Sequence, residues 1–395
     1  MSTKKDPIKK VIYLSYAPLS IKIEKDFYLN ELQEEHIEVE YWDLTQKFFP
    51  NQIFSDSLEK TYIKKIPTLA KFKKTLQSEN LDTTFFISLI GYEWRSLHLH
   101  LILSTFKCRI GFFARGMLPI YNLSFKNKLL IKFRYFFTPR NIFDYALNLL
   151  AYFLRSKTFI GHYEVVFVAG NIAKNTYKHL AQKLVPCNHF DYDYTLQLEN
   201  ISTSPIRYAL FLDEFLSGHP DFQMQNAKTV SEKNYFHQMN AFFTKIEKAF
   251  DLKVIIASHP KADYPPATFG DREIIKYKTA ELAKNAEFLI AHISTSIGFA
   301  TIYKKPLLLT YTQELQDVNP GYVNYIYAFG KTLNCNVIKI DDILQQTNRN
   351  EPIELLKEID DIKYQDYFFN YLTSEKSVCT QTNRIFLNYL KDNKQ

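Results

Sequence analysis

The sequence runs to 395 residues with 46% apolar side chains and a formal net charge of +7, too long for one ordinary core and too apolar for a disordered chain. Cys108, Cys187, Cys335 and Cys379 are far apart, which excludes a Cys-x-x-Cys zinc or redox motif and a disulfide framework and suits a reducing cytosol. No run approaches the roughly 18 apolar residues that span a bilayer.

The chain opens on a basic stretch, Lys4 to Lys10, followed by Val11-Ile12-Tyr13-Leu14. A signal peptide needs a longer apolar run and a small-residue cleavage site; Lys22, Glu24 and Lys25 follow instead, so a first β-strand is predicted over 11–16. Further strands are expected over 37–42, 85–90, 109–113 and 165–169. Helices are expected over 21–34, 96–104, 141–155 and 173–184. In the second half strands fit 208–212, 253–258, 288–291, 306–310 and 336–340, with helices over 233–250, 279–285 and 297–303.

Strands alternating with helices imply parallel sheets joined by right-handed crossovers. The expected fold class is α/β, with two Rossmann-like domains facing a cleft. The first domain covers 1–190 and should bind the acceptor. A hinge covers 191–206, where Asn200 and Ser202 to Ser204 stand, and the nucleotide-binding domain covers 207–360. Helices over 361–395 are expected to pack back on the first domain.

The charge is unevenly placed. Residues 101–160 carry ten basic side chains against one acid, Asp144, a net of +9 that leaves the remainder near −2. Aromatic and aliphatic residues alternate with these bases, among them Phe125, Phe133, Tyr135, Leu149 and Phe153. Such a window suits a peripheral contact through residues 107–157 with an anionic membrane at the inner face, where each base contributes about 1 kcal/mol. A solvated basic face is the plainer alternative. No helix-turn-helix, zinc-finger or RNA-binding signature supports nucleic acid.

Three segments of the second half fall at carboxyl ends of predicted strands, where ligands of open α/β sheets bind. Phe211-Leu212-Asp213-Glu214-Phe215 presents two carboxylates, either of which could act as general base or serve as a cap or loop ion pair. Gly218-His219-Pro220-Asp221 follows. Ile255-Ile256-Ala257-Ser258-His259-Pro260-Lys261 ends a strand at His259, since Pro260 bars simple continuation, and Lys261 adds positive charge. Leu289-Ile290-Ala291-His292-Ile293-Ser294-Thr295-Ser296-Ile297-Gly298 runs from a strand through three hydroxyl residues into a helix. Ser294, Thr295 and Ser296 with free helix-start amides suit a phosphate.

In this order the acidic pair, the His-Pro and the Ser-Thr-Ser resemble the motif series of bacterial sialyltransferases and related CMP-sugar transferases. The resemblance covers roughly residues 207–310. It implies a GT-B fold and a CMP-activated nonulosonic acid (sialic, legionaminic or pseudaminic acid) or Kdo as donor, with a glycan or lipid-linked acceptor. It further implies that Asp213 or Glu214 is the base, that His259 contacts the donor phosphate and assists departure of CMP, and that Ser294 with Thr295 holds that phosphate. Phe215 stands where the acidic motif usually has Gly. A CDP-polyol phosphotransferase of teichoic-acid type has similar His-Pro and Ser-Ser motifs, and a non-catalytic glycan-binding protein is the alternative outside enzymes.

The stretch from Phe269-Gly270-Asp271-Arg272-Glu273 to Lys278-Thr279-Ala280-Glu281-Leu282 resembles segments of bacterial capsule-locus proteins. Arg272 and Lys278 could reach phosphate or the sugar carboxylate, or pair with Glu273 and Glu281. A leaving group with one phosphate needs less charge neutralisation than a nucleoside diphosphate, so neither metal nor cofactor is expected. Asp191-Tyr192-Asp193 and His98-Leu99-His100 are weak metal candidates. On the acceptor side Ser15-Tyr16, Gly91-Tyr92-Glu93 and Ala114-Arg115-Gly116 end predicted strands, and His219 completes the candidates.

Overall fold

A computed structural model describes residues 7–52, 54, 57–119, 139–158, 160–198, 206–218, 228–346 and 354–392, with side chains at 139–142 left aside. His219, the core of the basic window over 120–138 and the middle of the expected hinge, 199–205, lie outside the described residues.

Among the described residues, thirteen strands form two wholly parallel sheets. The first comprises β1 (Lys10–Ser15), β2 (Glu38–Asp43), β3 (Ile63–Lys65), β4 (Thr84–Ser88), β5 (Arg109–Ala114), β6 (Tyr163–Ala169) and β7 (Ala181–Cys187), in the order β3-β2-β1-β4-β5-β6-β7. The second comprises β8 (Tyr208–Leu212), β9 (Lys253–Ser258), β10 (Ile274–Lys276), β11 (Phe288–Ala291), β12 (Leu307–Tyr311) and β13 (Asn336–Lys339), in the order β10-β9-β8-β11-β12-β13. The central strands β4, β8, β11 and β12 are buried along their whole length, as a parallel sheet covered on both faces requires. In the second sheet Leu212 is level with Ala257 of β9 and Ala291 of β11, so three chain segments leave the same sheet edge together.

The long helix Glu232–Phe250 shows why the sheet stays covered. Tyr235, Phe236, Met239, Phe242, Phe243 and Ile246 are buried at helical spacing, one apolar face against the second core. The chain leaves this helix through Asp251, a left-handed cap with φ 49°.

Several elements depart from the sequence reading. The helix expected over 21–34 is two helices, Ile21–Asp26 and Leu29–Glu34, separated by Tyr28 in the left-handed region at φ 65°. The helix expected over 173–184 ends at Tyr177, and β7 begins at Ala181. Among the described residues strand β7 pairs on one side, with β6, and so tolerates Pro186, which cannot donate to a ladder. Within the expected hinge, Phe190–Thr195 is helical.

The chain divides into two units. The described residues of Met1–Arg115, Ser124–Phe190 and Thr373–Gln395 form one, and those of Gly116–Leu123 and Asp191–Leu372 the other. The tail therefore does not pack on the first unit as a whole. The helix Asp361–Tyr367 buries Tyr364 and Tyr367 in the second core, with Leu372. Only beyond it does the helix Thr382–Asp392 place Phe386, Tyr389 and Leu390 in the first core, where Phe386 meets Phe113 and Phe167 edge-on. Asn188 fastens that return. Its side chain donates to Thr380 O at 2.8 Å and accepts from Thr373 Oγ1 at 2.6 Å, and its N–H donates to Thr382 Oγ1 at 3.1 Å.

Candidate functional site

The second sheet reverses strand order between β8 and β11, the position where crevices form in open α/β sheets. Asp213 and Glu214 leave β8 there. Both are buried, and each is tied to a different neighbouring loop. Asp213 accepts from the His259 N–H at 3.0 Å and from the Tyr264 hydroxyl at 2.8 Å on Oδ2, and from the Phe215 N–H at 3.1 Å on Oδ1. Glu214 accepts from the Ile293 N–H at 2.6 Å, and its other oxygen from the Tyr322 hydroxyl. One dipeptide thus holds the loops after β9 and β11 to the loop after β8.

Burial pushes both carboxyl groups above the usual range, Glu214 far above it, while the listening hydroxyl and amide donors pull the other way. The general-base role expected of Asp213 or Glu214 has no support in this geometry. Each carboxylate oxygen accepts from a protein donor, which makes the buried pair a brace between the loops.

Phe215 takes φ 52°, the left-handed region that costs a side-chain-bearing residue roughly 1–2 kcal/mol. Here the Phe215 ring packs edge-on against Tyr264, with centroids 5.7 Å apart. It also covers Gly218, where an added Cβ would come within 2.4 Å of the ring.

The loop after β9 fixes an imidazole. Backbone N–H groups can only donate, and the Lys261 N–H lies 3.2 Å from His259 Nδ1. Nδ1 is therefore the acceptor and Nε2 carries the proton in the neutral ring. The Ala262 N–H donates to His259 O at 2.9 Å, closing a turn at Pro260. His259 and Lys261 are half-buried.

The loop after β11 begins with a buried relay. His292 Nδ1 lies 2.7 Å from Thr310 O and so donates to it, which leaves Nε2 to accept from the Tyr235 hydroxyl at 2.9 Å. Burial lowers the His292 pKa to about 4, so the ring is neutral. Ser294 then caps a short 3-10 turn, Thr295–Ile297, its hydroxyl accepting from the Ser296 N–H at 3.2 Å. Thr295 is exposed and Ser296 half-buried.

No protein-family model and no curated protein sequence matches the chain. Among solved structures the chain is similar to Phytolacca americana UGT2 complexed with UDP-2-fluoro-glucose and pterostilbene, with TM-score 0.54, 12% identity and coverage of 98% of this chain and 100% of that one. It is similar also to the wall teichoic acid polymerase TagF, with TM-score 0.50, 8% identity and coverage of 98% and 90%. The UDP-GlcNAc 2-epimerase of Methanocaldococcus jannaschii aligns over 96% of this chain and 99% of its own, at TM-score 0.44 and 16% identity.

The fold is GT-B-like.

Within the second domain of this GT-B-like fold, Asp213, Glu214, His259, Lys261, Ser294, Thr295 and Ser296 belong to the loops after β8, β9 and β11. Arg272 does not join them as a phosphate ligand. Its Nε and Nη2 grip Glu247 at 2.9 and 2.6 Å, Nη2 also reaches Thr244 Oγ1, and Nη1 donates to Asn240 Oδ1 and Phe269 O. All five N–H donors are thereby used on the helix Glu232–Phe250 and its loop. Arg272→Ala is expected to lower stability by about 2 kcal/mol in urea unfolding while leaving nucleotide affinity unchanged; a selective loss of affinity at unaltered stability would restore it to the site. Lys278 is exposed beyond edge strand β10, three strands and so about 14 Å from β11.

In the first domain Ser15 is buried and its hydroxyl accepts from the Ala17 N–H at 3.0 Å. Tyr16 packs edge-on against Phe48 and Phe49. Both stand at the carboxyl end of β1, beside that sheet's own order reversal. Arg115 is not an acceptor-side cation. It is buried, donates to Asn188 O at 2.6 Å and Asp26 O at 3.0 Å, and stacks over Phe190 at 4.0 Å. Asp191 and Asp193 lie in the helix Phe190–Thr195, and His100 is buried beside Tyr92.

The sequence reading missed Tyr235, Tyr264, Tyr322 and His292. The available signal was the tyrosine count of 27. A buried tyrosine seeks a polar partner for its hydroxyl, and two buried carboxylates need donors.

Proposed function

We propose that the chain is a glycosyltransferase that moves a nonulosonic acid-type sugar from a CMP-activated donor to a glycan or lipid-linked acceptor at the inner face of a membrane. The observation that carries the reading is the convergence of the loops after β8, β9 and β11 at one order reversal, braced by Asp213 and Glu214. There His259 holds an Nε2–H suited to a phosphate oxygen or a departing CMP, and Ser294, Thr295 and Ser296 supply hydroxyl and amide donors. Lys261 adds positive charge. Support from known structures is at the level of fold, since UGT2 was crystallised with a nucleotide sugar. The likeness to a wall teichoic acid polymerase favours a second reading, transfer of a polyol phosphate from a CDP donor.

Donor binding by thermal shift separates these. A ligand at a hundred times its Kd stabilises the native state by about 2.7 kcal/mol, or roughly 5–10 °C for a domain of this size. A shift of that order with CMP, lost in Ser294→Ala, is the expected result. A larger response to CDP would favour the phosphotransferase, and a preference for UDP or GDP would sink the nonulosonate donor. Silence toward all four nucleotides would turn the reading to a non-catalytic glycan-binding protein.

A further inference from the structure

Among the described residues, the helix Pro139–Lys157 is fastened along one side. Asn148 Oδ1 accepts from the Trp94 N–H at 2.8 Å, the Ala151 carbonyl accepts from the Tyr92 hydroxyl at 3.0 Å, and Arg155 donates to Gly161 O at 2.6 Å. Arg155 also stacks over Tyr92 and Tyr163 at 4.6 and 5.2 Å. These contacts fix the helix firmly. They leave its other face without a cover among the described residues.

That face is apolar. Phe143, Leu149, Leu150 and Phe153 are exposed by 45–63% and, at about 100° per residue, fall within roughly a third of the circumference. Tyr145 and Tyr152, also exposed, flank the stripe. Lys157 shares its side of the helix at the last turn, whereas Asp144, the one acid in residues 101–160, lies about a quarter-turn or more away. No helix among the described residues is long and apolar enough to cross a membrane. A helix with a contiguous apolar stripe, in a chain segment that carries seven bases against one acid once the buried Arg109, Arg115 and Arg155 are set aside, has the make-up of an interfacial helix.

We propose that this face seats in the headgroup layer of an anionic bilayer, with Phe143, Leu149, Leu150 and Phe153 in the acyl boundary. The charge balance selects the occupant. A second copy of this chain would bring like charge against like, whereas acidic lipid supplies the opposite sign. The proposal is independent of the nucleotide reading, because vesicle binding is measured with no nucleotide present.

The test is co-sedimentation of the full chain with phosphatidylcholine vesicles with and without phosphatidylglycerol. Wild type should pellet with the anionic vesicles, weaken as salt rises, and stay largely in solution with phosphatidylcholine alone. The double substitution Leu149→Ser, Phe153→Ser should lower partitioning roughly tenfold or more with an unchanged melting temperature, because both side chains are exposed. Tryptophan emission from Leu150→Trp should shift to the blue only on anionic vesicles. Failure of wild type to bind them, equal binding by the double variant, or a dimer that the double substitution splits while vesicles capture neither form, would each overturn the proposal.

Discussion

Under the proposed CMP-sugar reaction, His259→Ala should lower the rate of CMP release from the donor by about three orders of magnitude, in the range set by losing a positioned proton donor. The substitution leaves the main-chain links intact. The bond from the residue 259 N–H to Asp213 and the turn closed by Ala262 N–H are both backbone donations. The half-buried imidazole accepts from the Lys261 N–H. Stability should therefore fall by no more than about 1 kcal/mol, and the loss should appear in kcat with little change in nucleotide affinity. His259→Gln, which can still donate a hydrogen bond but cannot give up a proton, should recover phosphate contact without recovering the rate. An unaltered rate in His259→Ala would remove the main chemical group from the proposal.

The second large effect concerns folding. Glu214→Ala leaves the Ile293 N–H and the Tyr322 hydroxyl without their acceptor, and two buried donors of that kind cost about 3–4 kcal/mol. Glu214→Gln keeps the shape and can accept from Ile293 while presenting an amide to Tyr322. Its advantage over wild type should depend on pH in a defined direction. Burial raises the Glu214 pKa well above 4.5, its ordinary value. Below that value the carboxyl is protonated whether the chain is folded or not, and the contribution of the raised pKa is complete. As pH climbs through the native pKa the buried group must ionise or strain against its surroundings, and that contribution is lost. Urea melts at rising pH above 4.5 should show the glutamine variant gaining on wild type. A constant difference would mean that the native carboxyl is not shifted upward.

The alternation of strand and helix was legible because buried parallel strands read as unbroken apolar runs, as at Tyr208–Leu212 and Phe288–Ala291. The missed strands are edges. Ile63–Lys65 and Ile274–Lys276 have three residues each, and Ala181–Cys187 contains a lysine and a proline that a one-sided ladder accepts. Tyr28 breaks a continuous helical pattern through a backbone angle that no periodicity announces.

The site was legible as loops rather than as roles. Strand ends pointed to the acidic pair, the His-Pro and the hydroxyl run, all of which gather at the order reversal in the second sheet. Arg115 and Arg272 were read as cations facing ligand because an isolated arginine in a sequence gives no sign of its partner. In the fold one meets carbonyls and rings, the other Glu247. The same limit hid Tyr264 and Tyr322, which lie 51 and 108 positions from the carboxylates they serve.

The double tether of Asp213 and Glu214 bears on how such a pocket chooses its ligand. Loops pinned to one another before anything binds have little conformational entropy left to surrender when an anion enters. On the proposed nucleotide reading, selection at these loops falls to fit against a preset arrangement of donors.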